Sequence, residues 1–133
     1  MVQYRWSTLD QWTKKTEKRI DAVLKDATQS VVAVAQVSRD EGGRMPVITG
    51  NLRNSLQSSV AGGASGEGKE SYIMVAAGMN GGDLATFVWT AKYAAAVNNG
   101  NRGRPGAHFV EGAVDQWPAI VRASTAKAKA RVG

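Results

Sequence analysis

Between Leu9 and Ala35 apolar side chains recur every three or four residues, at Leu9, Trp12, Ile20, Val23, Leu24, Ala27, Val31, Val34 and Ala35, with Thr16 in the same series. Lys14, Lys15, Lys18 and Asp21 are displaced from that stripe. Such spacing is that of one face of an α-helix. Ser7 and Asp10 read as its N-cap pair, a hydroxyl oxygen for a free amide and a carboxylate for the positive end of the dipole. Gly42 and Gly43 supply the positive φ that stops helices. One amphipathic helix over about 7–41 is therefore predicted, and at about 1.5 Å per residue it is longer than a core of this size requires. That excess predicts packing on a neighbouring copy.

Beyond Pro46 the pattern changes. In VITGNLRNSLQSSV, Thr49 is placed to cap a short helix over about 50–57, with Leu52 and Leu56 on one face and Arg53 pointing away. Ser58–Val60 and SYIMVAAGM (71–79) read as strands, separated by a glycine-rich loop. Asn80-Gly81-Gly82-Asp83 carries hairpin chemistry, and in LATFVWT Phe87 and Trp89 alternate with Thr86, Val88 and Thr90. An antiparallel hairpin at the centre of a sheet over about 58–91 follows. Helical pieces over about 92–131 close the chain, with a kink or restart near Trp117, because Pro118 has no amide and collides with the carbonyl four residues back. The expectation is one α+β domain, 1–133: a long N-terminal helix and a C-terminal helix packed on a small antiparallel sheet.

The bulk properties exclude more than they identify. No cysteine is present, which removes disulfides, thiolate zinc sites and cysteine nucleophiles. No apolar run approaches the roughly 20 residues of a membrane-spanning helix, and the N-terminus has no apolar leader core, so a soluble protein without membrane contact is expected. Lys and Arg number 17 against 11 Asp and Glu, a net charge of +6 that eases contact with nucleic acid, an anionic surface or an acidic partner.

Several segments come close to a known chemistry. Gly63, Gly68 and Lys69 fit G-x-x-x-x-G-K, but Glu70 stands where a phosphate loop needs a hydroxyl, and the segment is read as leading into a strand instead of a helix, so nucleotide binding is set aside. Arg102-Gly103-Arg104-Pro105 matches the core of a minor-groove hook, though its flanks are neutral. His108 is the sole histidine, beside Phe109 at a helix start, and reads as packing or capping. Ser124 and Lys127 have S-x-x-K spacing in a last helix expected to be exposed. Glu111 and Asp115 read as a solvent-facing i, i+4 pair. No catalytic residue, cofactor site or metal site is assigned, and no enzyme is expected. The four tryptophans read as core or interface.

Three segments carry a resemblance. Pro46-Val47-Ile48-Thr49-Gly50-Asn51-Leu52-Arg53-Asn54-Ser55 resembles a P-x-x-T-G-x-L-R-x-S signature, 93–100 resembles Y-A-x-x-V-E-x-G, and 106–113 resembles P-x-x-F-L-x-P-A. In this order they are similar to the tail-completion, or head-tail joining, proteins in the neck of tailed double-stranded-DNA bacteriophages. Asn98 departs from the pattern's acid, and Gly106 and Gly112 from its prolines. What the resemblance implies is an α+β virion subunit, assembled in the bacterial cytoplasm into a homo-oligomeric ring, a hexamer or similar. Such a ring would lie between a head-side connector or stopper protein and a tail terminator or tail tube protein. DNA would pass through it with transient, sequence-independent contact. The residues expected to meet subunits or partners are Thr49, Gly50, Leu52, Arg53, Asn98, Asn99, Arg102 and Arg104, with Arg102 and Arg104 also placed to touch the DNA backbone. Arg53 reads equally as an exposed helix charge. Two alternatives stay open: a small basic DNA-binding protein using Arg102 and Arg104, and a minor tail component of the same fold.

Overall fold

A computed structural model describes residues 6–46, 50–101 and 103–132. Helix α1 (Trp6–Gln36) is one unbroken run of 31 residues, roughly 46 Å long. A single 3-10 turn (Arg39–Glu41) and a short helix, α2 (Asn51–Asn54), lead into strands β1 (Leu56–Val60) and β2 (Ser65–Glu67). Helix α3 (Ser71–Ala77), strand β3 (Ala85–Trp89) and helix α4 (Ala94–Asn99) follow. The two-residue strands β4 (Gly100–Asn101) and β5 (Arg104–Pro105) precede α5 (Phe109–Val114) and α6 (Trp117–Val132). The class is α+β, with long helices at both ends and a three-stranded antiparallel sheet of order β2-β1-β3.

Strand β1 is central, pairing Ser59 with Ser65 on one side and Leu56 with Trp89 on the other. Its buried face carries Leu56, Ser58 and Val60, beside Ala85, Phe87 and Trp89 of β3. Thr86 and Val88 face out, as the period of two in the sequence predicts.

The predicted strand SYIMVAA is helix α3. It lies between α1 and the sheet, with Val75 and Ala76 fully buried. The β-branched and aromatic content of the segment favours a strand locally. The inner face of the sheet needs a cover, however, and a helix packed across it buries more than a further edge strand would. The Asn80–Asp83 turn forms, closed by the Asp83 N–H to the Asn80 carbonyl at 3.1 Å. It joins α3 to β3 instead of two strands, and Asp21 of α1 anchors it by accepting the Gly81 amide at 2.6 Å.

Three boundaries also move. Helix α1 is already formed at Trp6, so Ser7 sits inside it and not at a cap. It ends at Gln36, and Gly42 (φ 91°) then closes the following 3-10 turn. Helix α2 begins after Gly50, whose φ of 81° is the left-handed value glycine tolerates; Thr49, the expected cap, lies outside the described residues. The restart near Trp117 occurs where Pro118 places it.

Two apolar clusters hold the fold. Val60, Val75 and Met79 pack with Leu24 and Phe87 between α1, α3 and the sheet. Ala35, Met45, Leu52, Ala94, Phe109 and Ala113 form the second, where the Trp89 and Phe109 rings meet edge to face at 5.2 Å. Helix α6 runs antiparallel to α1, with Ser124 on Asp26 at mid-helix and Gln116 at the Val34 end.

Candidate interaction surfaces

The three segments that carry the resemblance, distant in sequence, converge in the second cluster. Leu52 comes from the first, Ala94 and Val97 from the second, and Ala107, Phe109 and Ala113 from the third. Leu52 is 3% exposed, so its side chain belongs to this core. Arg53 closes the carbonyl end of α1, its Nε and Nη2 donating to the Gln36 carbonyl at 3.0 and 2.9 Å. Those two donors are occupied within the chain.

Gln36 is a buried junction that the sequence reading did not single out. Its Oε1 accepts the Trp89 indole N–H at 2.9 Å, and its Nε2 donates to the carbonyls of Arg53 (3.1 Å) and Lys69 (2.9 Å). One side chain therefore ties the end of α1 to α2, to the segment before α3 and to β3. An amide ending an apolar stripe was the available signal, but its partners are 17, 33 and 53 residues away.

Asn98 is buried as well. Its Oδ1 accepts the Val110 amide in the first turn of α5 at 3.1 Å, and its Nδ2 donates to Asn99 Oδ1 and Glu111 Oε1, both at 3.0 Å. Asn98 thus caps α5 from outside that helix, while Asn99 is exposed. An acid at 98 could accept from Val110 but would repel Glu111. His108 adopts φ 50° at the start of α5, with Nδ1 3.5 Å from Glu111.

The backbone amide at the helix start, then the Asn98 amide, hold the Glu111 carboxyl below its usual value of 4.5. A lowered folded-state pKa contributes stability that is present above the unfolded value and is lost as pH falls through the folded one. Since the carboxylate is half exposed, the effect is a fraction of a kcal/mol. Glu111→Gln is expected to lower stability near neutral pH by that fraction of a kcal/mol and to flatten the acid limb, so that variant and wild type converge towards about pH 3, as read by urea midpoints from pH 7 down. An unchanged acid limb would show that the pair is not formed in solution.

Two motifs resolve differently from their sequence reading. The segment after Lys69 is a helix, so that ground for excluding a phosphate loop does not hold. A different ground replaces it: between Gly63 and Gly68 the chain is strand β2, paired with β1, and forms no open cradle of amides. Ser124, expected to be exposed, is 1% exposed; its Oγ donates to Asp26 Oδ2 at 2.7 Å, with Lys127 Nζ 3.6 Å from the same oxygen. The serine proton is directed at a carboxylate and not at the lysine, so the trio fastens α6 to α1. Arg102 lies outside the described residues, and the backbone of Arg104 pairs with Asn101 in the β4–β5 hairpin.

An uncovered apolar stripe lies on α1. Trp12 is 67% and Ile20 53% exposed, both on the apolar stripe. Between α1 and α6 that stripe opens into a groove of about 470 Å³ with Ile20, Val23, Val121 and Trp117 along it and Arg19 and Lys129 as its charged lining residues. No helix among the described residues is long and apolar enough to cross a membrane. Set against protein-family models, curated proteins and solved structures, the chain matches none of them.

Proposed function

We propose that this chain is a non-enzymatic virion subunit of a tailed phage, acting in the neck as a tail-completion or head-tail joining protein. Copies would close into a ring through repeated heterologous contacts, with one ring face on the head-side connector and the other on the tail. DNA would pass through with electrostatic, sequence-independent contact.

The observation that carries the reading is the uncovered apolar face of α1. A 31-residue helix with Trp12 and Ile20 in water is a poor design for a solitary domain and a suitable one for a subunit. The convergence of the three signature segments on one core supports it, since their order in the chain then reflects a packing unit and not a chance string. A serine sealed against Asp26 adds nothing to a hydrolytic alternative.

Disrupting the gene in the phage that encodes it, followed by negative-stain electron microscopy of the lysate, tests the assignment. Filled heads and separate tails are expected in place of virions, with joining restored by adding purified protein. Intact virions at normal yield would overturn it.

A further inference from the structure

We infer that the groove between α1 and α6 is a docking site for an acidic amphipathic helix of a different protein. Among the described residues nothing covers it. Its floor is apolar, formed by Ile20 and Val23 of α1 and by Val121 and Ala128 of α6, and two antiparallel helices leave between them the seat that a third helix fills. The stripe continues to Trp12, so a partner of about four turns, roughly 22 Å, matches its length.

Charge selects the kind of partner. Arg19 and Lys129 are the charged residues that line the groove, and Arg19 Nε is buried with no hydrogen-bond partner among the described residues. A buried guanidinium N–H without an acceptor is costly, and a carboxylate arriving from a partner removes that cost. Of the acids of α1, Asp21 holds the Gly81 amide and Asp26 holds Ser124 and Lys127, which leaves Glu17, one turn before Ile20, as the single acid beside the groove's two cations. A second copy meeting the groove with the same face would bring Arg19 and Lys129 against their own kind in a protein of net charge +6, and one meeting it with α6, the other helix of four turns among the described residues, would bring a helix without a single acid. The partner therefore has leucine-like residues at helical spacing, flanked by Asp or Glu. This inference shares the uncovered α1 face with the neck reading and assigns that face to a partner protein, leaving the contacts between ring copies to other surfaces.

The test uses the full chain and two labelled synthetic helical peptides of about four turns. Both carry leucine at i, i+3, i+4 and i+7; one is flanked by glutamate, the other by lysine. Fluorescence anisotropy is expected to show micromolar binding of the glutamate peptide, at least about tenfold weaker binding of the lysine peptide, and a decline with added salt. Arg19→Glu should reverse the preference. Ile20→Asp should weaken binding about tenfold without unfolding the chain, because Ile20 is half exposed; circular dichroism and the thermal midpoint check the fold. Equal affinity for the two peptides, or no binding of either, would overturn the proposal. So would sedimentation showing that the groove is filled by a second copy released by Ile20→Asp, or retention of the protein on phosphatidylglycerol vesicles that Ile20→Asp abolishes.

Discussion

Gln36→Ala is expected to lower stability by about 3 kcal/mol, with a thermal midpoint about 10 °C lower. Gln36 is 5% exposed and makes three side-chain hydrogen bonds, so truncation leaves the Trp89 indole N–H and the carbonyls of Arg53 and Lys69 without their partner. A buried polar group left unpaired costs about 1–3 kcal/mol, more than the bond it formerly made was worth. Gln36→Glu separates this from a loss of volume. At neutral pH the carboxylate still accepts from Trp89 but opposes two carbonyl oxygens, so the variant should be about as unstable as alanine. At acid pH the protonated form donates one bond and stability should partly return relative to wild type. Urea unfolding of both variants at pH 7 and 4 is the measurement. A loss below about 1 kcal/mol for alanine would mean that water replaces the side chain and that the junction is not what ties α1 to β3.

Gly106→Ala should be of similar size, about 3 kcal/mol, by a different route. A β-carbon at 106 would stand 2.3 Å from the Asn98 carbonyl oxygen, 2.7 Å from the Asn99 carbonyl carbon and 2.8 Å from the Gly100 nitrogen. All three are backbone atoms, which no rotamer change removes. The adjoining amides of Ala107 and His108 donate to the Val97 and Asn98 carbonyls at 2.8 and 3.0 Å and hold the two segments at that spacing. Gly112→Ala is the contrast. There the new carbon meets Cδ and Nε of Arg44 at 2.6 Å, a flexible side chain that can swing away, and the helix gains about 1 kcal/mol of propensity. Thermal melts should find the first variant strongly destabilised and the second close to wild type or better. Equal effects would show that the close approach at 106 relaxes without cost.

The signature segments are used largely within the chain. From the sequence, Leu52, Arg53 and Asn98 are expected to meet other subunits. In the structure Leu52 fills the core, Arg53 closes the end of α1 and Asn98 caps α5. The apolar groove lies on α1 and α6, outside the signature segments, of which Tyr93 remains exposed.

What the sequence determined by itself is whatever rests on neighbours within a few residues. The stripe from Trp12 to Ala35 requires a helix, because its period is local and its apolar face must be buried somewhere. The alternation in 84–90 requires a strand with one wet face, and Pro118 requires a break before α6. The excess length of α1 was legible too, from a stripe that at about 1.5 Å per residue spans more than one small core requires. The tertiary structure alone decided the rest. Ser71–Ala77 is helical because the sheet lacks a cover without it, a demand that arises 10 to 15 residues away and overrides the β-propensity of Tyr72, Ile73 and Val75. Gln36 and Asn98 became junctions only when carbonyls and amides far along the chain arrived beside them, since a hydrogen bond has no signature in a sequence until both ends are placed. Ser124 was buried by its partner helix, and the α1–α6 groove exists because two stripes that each read as core meet along only part of their length.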